Sequence, residues 1–349
     1  MSFSNDVSMD ESQQPTIWGL SITFSIIAIV SVLLRFKARR IQGEQLESDD
    51  WTILVALILS MGVTVNLLMM TQCGGLGTHT RYDGDGNPLD PGRIVIFGKT
   101  TYSLEILVWP AVGMTKTSVL LLYKRIFITP RFRVVTWVGI GVAIAWTIAF
   151  TFALMFICHP IAARWNSEIP YTRGNYFALL AVALATDVAT DALVLLLPVY
   201  KVWQLQMPIT RKALVTGIFL LGSLVSIAGI IRTHFLAQVY DVLTEAPKVD
   251  VTWVYAPDFY WTIIETNVGV FSACAPTLRP IQELATRKLS SVIRKLSFPN
   301  LRSSDPPLDS LSSINKGDNI RLNSMEEGSS FDSKYISFTP EQLRNFLYV

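Results

Sequence analysis

The sequence predicts an all-α polytopic membrane protein, a bundle of seven transmembrane helices with the N-terminus outside and the C-terminus in the cytoplasm. Of its 349 residues, 50% are hydrophobic and only 16% are charged, whereas soluble domains carry roughly 25% charged residues. The hydrophobic residues fall into seven blocks, each long enough for a bilayer crossing of about 20 residues. Basic residues concentrate in every second loop, which sets the direction of the first helix.

The helices and domains follow from these blocks. The predicted spans cover residues 18–36, 51–72, 100–127, 134–157, 176–199, 213–232 and 259–277, and the sixth can continue for several turns. The predicted domains are a short extracellular N-terminus (1–16), the seven-transmembrane domain (17–280), an amphipathic interfacial helix (281–296) and a disordered cytoplasmic tail (297–349). The segment 281–296 combines an apolar stripe with basic residues, which suits a helix lying on the anionic inner leaflet. A short solvated helix is the alternative.

The orientation depends on lysine and arginine, which mark cytoplasmic loops. The segments after spans one, three, five and seven are rich in them: Arg35, Lys37, Arg39 and Arg40; Lys124, Arg125, Arg131 and Arg133; Lys201, Arg211 and Lys212; Arg279, Arg287, Lys288, Arg294 and Lys295. The opposite loops hold few, among them Arg81, Arg93, Arg164, Arg173 and Lys248. Removing any one span would reverse all later loops, so the pattern favours seven.

The third predicted span carries two charged residues, Glu105 and Lys116. A charge at bilayer depth costs about 2.5–3.5 kcal/mol and needs a partner or a cavity. In the fifth span, Asp187 and Asp191 share one helix face, and a rise of about 1.5 Å per residue puts them near the depth of Lys116. We therefore predict an intramembrane polar clamp of Lys116, Asp187 and Asp191. It serves either as a structural tie or as a switch or proton-linked element.

A second polar group is predicted nearer the outside. Its members occur in the outer parts of spans three, six and seven, among aromatic residues, and such a convergence suits a pocket for a small ligand. The residues are Glu105, Trp109, Arg232, His234, Trp261, Glu265 and Asn267. The alternative is an ion pair between Arg232 and Glu265 with no ligand.

Cysteine and histidine placement bears on other classes of site. Cys73 and Cys158 both lie at outer ends of spans, in an oxidising space, so a disulfide is one interpretation and two free thiols the other. The histidines are scattered and no CxxC pair occurs, so no metal site is predicted. HExxH, GxSxG and cofactor fingerprints are absent, which argues against an enzyme or a bound cofactor. The seventh span also lacks the lysine that a Schiff-base chromophore requires.

An ordered set of motifs covers most of the chain, from about residue 17 to residue 280. It consists of Arg35 with Asp49-Asp50-Trp51, Gly75-Leu76-Gly77-Thr78-His79, Lys116-Thr117-Ser118, Tyr123-Lys124-Arg125-Ile126-Phe127, Cys158-His159-Pro160 with Trp165, Asp187 and Asp191 with Pro198 and Trp203, Arg211-Lys212, Gly222, Ser226, Arg232, Trp261, Glu265, Gly269 and Pro276-Thr277-Leu278-Arg279-Pro280. In these residues the chain resembles the fungal rhodopsin-domain integral membrane proteins of filamentous ascomycetes, which include pathogenicity-associated receptor-like proteins and a satratoxin-cluster membrane protein. The resemblance implies a rhodopsin-like, GPCR-like architecture. Light sensing is not expected, because the seventh span lacks the lysine for a chromophore.

Topology and resemblance together predict a receptor-like integral membrane protein that senses a small ligand and signals to the cytoplasm. The expected partners are the lipid bilayer, a small molecule, and a heterotrimeric G protein or another cytoplasmic effector, with no nucleic acid; G-protein coupling follows by analogy. The plasma membrane is expected rather than an endomembrane. Two alternatives stay open: a proton-coupled transporter or permease, and a membrane protein of a secondary-metabolite cluster that binds no ligand.

Overall fold

A computed structural model gives the fold and describes residues 11–80, 89–127, 129–166, 169–170, 172–204, 209–245 and 250–278. The helices in these ranges are α1 (Gln14–Gln42), α2 (Ser48–Cys73), α3 (Pro91–Ile126), α4 (Pro130–Met155), α5 (Tyr176–Gln204), α6 (Ile209–Glu245), the single turn α7 (Val251–Val254) and α8 (Ala256–Cys274). Between α4 and α5, the short antiparallel strands β1 (Cys158–His159) and β2 (Thr172–Arg173) flank a 3₁₀ turn, Ile161–Arg164. The predicted interfacial helix (281–296) and tail (297–349) lie outside the described residues.

Six of the described helices, α1 to α6, are long and apolar enough to cross a membrane. This confirms an all-α polytopic membrane fold. The predicted seventh span corresponds to α8, which is 19 residues long and carries Asp258, Glu265 and Asn267. These three side chains lower the hydropathy of α8, and all of them are buried. Such residues at membrane depth face the interior of a bundle.

Proline and glycine mark several helix ends. Proline stands at the first or second position of α1, α3, α4 and α8, where its fixed φ suits a helix start and its missing N–H has no partner to lose. α1 ends at Gly43, whose φ of 68° lies in the left-handed region that glycine adopts without strain. α8 ends two residues before Pro276 and continues as the 3₁₀ turn Ala275–Leu278.

α3 is the central helix of the bundle. In its most apolar stretch 67% of the residues are buried, against 17% to 44% in the other five membrane-length helices. It contributes to three buried apolar clusters, which include Phe97, Trp109 and Tyr123 respectively. On the outside, apolar side chains such as Leu33 of α1 and Val138 of α4 are 63% and 61% exposed. An apolar exterior of this kind is compatible with lipid rather than water.

The loop after α2 is shaped by glycine. Gly75 and Gly77 have φ of 74° and 78°, values that side-chain-bearing residues rarely adopt. This path lets Gly77 bond on both sides, since Gln13 N donates to Gly77 O (2.8 Å) and Gly77 N donates to Thr252 O (2.9 Å). The loop therefore ties the start of α1 to α7.

α3 and α4 approach closely at Gly113. A Cβ at this position would overlap the side chain of Thr147, and overpacking costs typically about 1–3 kcal/mol. We expect Gly113→Ala to lower the melting temperature of the purified protein in detergent. The matched control is Gly141→Ala in α4, where the added Cβ meets nothing within 4 Å. Equal melting temperatures for the two variants would contradict the close approach.

Candidate functional site

Lys116 of α3 is enclosed by polar groups of α5. Its Nζ donates to Asp187 Oδ1 (2.8 Å), to the Asp187 carbonyl oxygen (2.9 Å) and to Thr190 Oγ1 (2.7 Å), and lies 2.9 Å from Asp191 Oδ1. The ring of Trp146 in α4 lies 4.9 Å from the same ammonium. The structure thus brings together the three residues of the predicted clamp. Its role as a tie or a switch stays a prediction.

Glu105, which precedes Lys116 in α3, is bound by Arg164 of the segment between α4 and α5 and by Tyr176 at the start of α5. Arg164 Nη2 donates to Glu105 Oε2 (2.8 Å), and the Tyr176 hydroxyl donates to Glu105 Oε1. The Arg164 guanidinium also lies 5.3 Å and 5.2 Å from the rings of Tyr102 and Tyr176. Sequence reasoning missed Arg164 and Tyr176. The available signal was that an acid at membrane depth needs a cation, and few basic residues occur at that end of the predicted bundle.

Arg232 of α6 pairs with two acids of α8. Its Nη1 donates to Glu265 Oε2 (3.0 Å), and its Nε lies 3.4 Å from Asp258 Oδ1. The guanidinium carbon is 5.7 Å from the ring of Trp109 in α3. All four side chains are buried. The Arg232–Glu265 ion pair, which was the alternative to a ligand pocket, is therefore formed, and Asp258 adds to it.

The remaining residues of the predicted outer pocket lie elsewhere. His234 is exposed, with its Nε2 3.2 Å from Gln238 Nε2. Trp261 is only partly buried. Asn267 is buried, accepts from Ser60 Oγ (3.1 Å) and donates to the Ile263 carbonyl oxygen (3.0 Å). The seven predicted residues do not line one cavity, because Glu105 is held by Arg164, His234 faces outward and Asn267 joins α8 to α2.

The structure instead has a cavity of about 410 Å³ beside the Glu105 group. We call it the vestibule. Its lining includes four aromatic residues, one arginine and one cysteine: Phe97, Trp165, Tyr176, Tyr255, Arg164 and Cys158. Small-molecule sites measure roughly 300–1,000 Å³ and are mostly apolar and aromatic. The vestibule therefore has the size and lining of a ligand site, built from α3, the α4–α5 segment, α5 and the α7–α8 region.

A smaller cavity of about 60 Å³ lies deeper, among α3, α5, α6 and α8. We call it the central cavity. Three charged residues reach it, Lys116, Asp191 and Glu265, and most of its other lining is apolar. Since one water needs about 10–15 Å³ of this volume, the central cavity has room for a few waters.

A further ionic group, which was not predicted as a site, lies where α1 meets the start of α2. Arg35 is 0% exposed, and it donates to Asp50 Oδ1 (2.8 Å), Asp49 Oδ2 (2.6 Å) and the Ala273 carbonyl oxygen (2.9 Å). Arg39 Nη2 also donates to Asp49 Oδ2 (3.1 Å). The two aspartates stand in the first turn of α2, where negative charge is favourable. This group joins α1, α2 and α8.

The cysteines are all free thiols. Cys158 is buried in β1, whereas Cys73 is exposed at the end of α2. The predicted disulfide between them is not formed, and of the two interpretations the structure has the free thiols.

Comparison with known proteins identifies one matching family and several similar proteins. The model of the family described as "Fungal rhodopsin domain" matches residues 34–284. "Phomoidride biosynthesis cluster protein H" of a Fungal sp. strain is 27% identical over 306 residues, 82% of this chain and 93% of the relative. "Polyenoic acids biosynthesis gene cluster protein Ba17b" of Metarhizium anisopliae is 26% identical over 292 residues, which are 79% of this chain and 76% of the relative. A "SAT4 family membrane protein" of Emericella nidulans is 32% identical over 192 residues, which are 54% of this chain and 47% of the relative.

Proposed function

Because the chain belongs to the fungal rhodopsin domain family, we propose that it is a receptor-like membrane protein that senses a small molecule and signals to the cytoplasm, without enzymatic activity. We include α8 as a seventh transmembrane helix. It packs against α1, α2, α3 and α6, and its acids Asp258 and Glu265 are ion-paired with Arg232. The alternation of basic loops supports an outside N-terminus and a cytoplasmic C-terminus. We propose the plasma membrane as the location, as expected for a receptor.

The vestibule is the observation that carries this proposal. Its aromatic walls offer ring faces and edges, which favour a flat, conjugated ligand. Arg164 is the one charged residue in a lining that is mostly apolar and aromatic, which suits a ligand with a polar end. We therefore assign the ligand to the class of planar conjugated small molecules with a polar end.

A ligand in the vestibule would act on α3 directly. Arg164 and Tyr176 touch both the vestibule and Glu105, and Glu105 belongs to the most enclosed helix of the bundle. A ligand shifts a conformational equilibrium only by its difference in affinity for the two states. A ligand whose polar end binds Arg164 would compete with Glu105 for this arginine, so it would bind more tightly to a state in which the Arg164–Glu105 pair is open. The expected recipient of the signal is a heterotrimeric G protein or another effector at the basic cytoplasmic loops.

The relatives suggest where the ligand comes from. Two of them are named as proteins of biosynthesis clusters, for phomoidride and for polyenoic acids. We propose that this chain likewise responds to a secondary metabolite. A protein of such a cluster that binds no ligand is the second candidate, since the same names favour it equally.

The test is a thermal-shift screen of the full chain in detergent against aromatic and polyene carboxylic acids, because a ligand raises the melting temperature by mass action. For a compound that binds, we expect Trp165→Ala to weaken the affinity about tenfold, since an aromatic contact contributes about 0.5–1.5 kcal/mol beyond its buried area. The control is Trp137→Ala, because Trp137 is 55% exposed on α4, away from the vestibule.

Equal affinities of the two variants would place the ligand outside the vestibule. A panel without any binder would favour the cluster protein without a ligand. Solute-driven proton flux in proteoliposomes that is lost in Asp191→Asn would favour the transporter alternative over the receptor.

A further inference from the structure

α4 is the least enclosed of the six membrane-length helices. In its most apolar stretch only 17% of the residues are buried, the lowest share among these helices. On its exposed face Val134, Val138 and Val142 follow one another at intervals of four residues and are 64%, 61% and 52% exposed. Residues four apart lie on one side of a helix. In a protein that crosses a membrane, a continuous apolar face of this kind lies against lipid chains.

Two arginines stand where this apolar face begins. Arg131 and Arg133 lie in the first turn of α4, and both are exposed. Neither forms a salt bridge with another residue that the structure describes. The neighbouring sequence supplies no counter-charge either, because no aspartate or glutamate occurs between Glu105 and Glu168. The start of α4 is therefore a surface of uncompensated positive charge.

The acids at the same end of the bundle are engaged by other cations. Glu44 accepts from Arg125 Nη2 at the end of α3 (2.8 Å). Asp49 and Asp50 accept from the buried Arg35. The counter-ion for the start of α4 therefore has to come from outside the described part of the chain.

Trp137 marks the level at which this surface meets the membrane. It lies one turn beyond Arg133 and is 55% exposed. The Lys124 ammonium lies 4.3 Å from its ring, so this third cation already has a partner. Exposed tryptophan is enriched at the membrane–water interface, where its ring sits among the lipid headgroups. The two arginines, which precede Trp137, are thus at headgroup level, and the valines that follow reach the acyl chains.

We propose that Arg131 and Arg133 bind the phosphate headgroup of an anionic phospholipid, whose acyl chains lie along the face formed by Val134, Val138 and Val142. Guanidinium groups suit this partner, because they donate several hydrogen bonds in one plane to phosphate oxygens. A molecule with an anionic head and an apolar chain matches both parts of the surface, whereas a free phosphate would match only the arginines. The contact requires only that the start of α4 lies at a membrane surface. That this surface is the cytoplasmic one belongs to the proposed function, and failure of the ligand screen would leave the lipid site intact.

Native mass spectrometry of the full chain, titrated with phosphatidylserine or with phosphatidylcholine of the same acyl chains, tests the site. The wild type should bind phosphatidylserine more tightly. In Arg131→Gln/Arg133→Gln this preference should be lost and the affinity for phosphatidylserine should fall about 30-fold, since each basic residue near an anionic membrane surface contributes about 1 kcal/mol. The matched control is Lys37→Gln/Arg40→Gln, which removes two exposed charges at the end of α1 and should keep the preference.

Equal affinities of the wild type for the two lipids would overturn the proposal in favour of a protein partner at these arginines. An equal loss in the two double variants would overturn it in favour of unspecific charge attraction. Full competition by soluble glycerophosphoserine would assign the arginines to a free phosphate group instead of a lipid.

A second measurement decides the question if Arg131→Gln/Arg133→Gln does not fold. It is the quenching of Trp137 fluorescence by brominated lipids, taken as the difference between the wild type and Trp137→Phe. Brominated phosphatidylserine should quench Trp137 more strongly than brominated phosphatidylcholine, because the bound lipid lies beside this ring. Equal quenching by the two lipids would contradict the site.

Discussion

Arg35→Ala is expected to prevent the membrane domain from reaching a stable fold. Arg35 is fully buried and donates to two carboxylates and to the last turn of α8. Its removal leaves Asp49 and Asp50, which are 1% and 0% exposed, without their main cation. Breaking a buried ion pair from one side costs about 3–5 kcal/mol, and total stabilities are only about 5–15 kcal/mol. The measurement is the monodisperse yield by fluorescence-detected gel filtration.

The matched control is Lys37→Ala, which removes a positive charge from the exposed face of the same helix. It should leave the yield unchanged, since exposed charges contribute about 0–1 kcal/mol. Arg39 also contacts Asp49 and Asp50, so Arg35→Lys, which keeps the charge but loses the two-pronged geometry, should recover only part of the yield. Wild-type yield and melting temperature in Arg35→Ala would show that Arg39 and Arg125, which also lie within salt-bridge distance of both aspartates, compensate for the lost cation.

The helices could largely be predicted from the sequence, because a bilayer imposes length and apolarity on each crossing. The predicted ranges 51–72 and 134–157 lie close to Ser48–Cys73 and Pro130–Met155. The sixth span was predicted for 213–232 with a continuation of several turns, and α6 does continue to Glu245. Leu236 and Val239, which lie in this continuation, are buried.

Some contacts between site residues could be predicted from the sequence and others could not. Lys116 and Asp187 could be matched because helical rise converts sequence position into depth. The partner of Glu105 could not, because Arg164 reaches it through an irregular segment whose path follows from long-range packing. Asp49 and Asp50 stand in the first turn of α2, where acidic side chains usually stabilise the positive end of the helix dipole. Nothing in the sequence around these aspartates indicates that both are buried and paired with Arg35.

Lys116→Met is the second substitution expected to have a large effect. It removes the only cation that forms salt bridges with Asp187 and Asp191 among the described residues, and a buried pair broken from one side costs about 3–5 kcal/mol. We expect a large drop in the melting temperature or loss of folded protein. Lys124→Met on the same helix is the control, because the one contact of the Lys124 ammonium among the described residues is with the ring of Trp137, at 4.3 Å, and such a contact contributes about 0.5–1 kcal/mol.

The triple variant Lys116→Met, Asp187→Asn, Asp191→Asn separates the two roles left open for this group. Neutralising all three members removes the buried unpaired charges, and replacing a whole buried ion pair by uncharged groups is often neutral for stability. Most of the lost melting temperature should therefore return. If the group is a structural tie, the refolded triple variant keeps its cytoplasmic response to ligand; if it is a switch, the variant folds and binds ligand but gives no response. Failure of the triple variant to recover any stability would contradict charge compensation as the reason for the group.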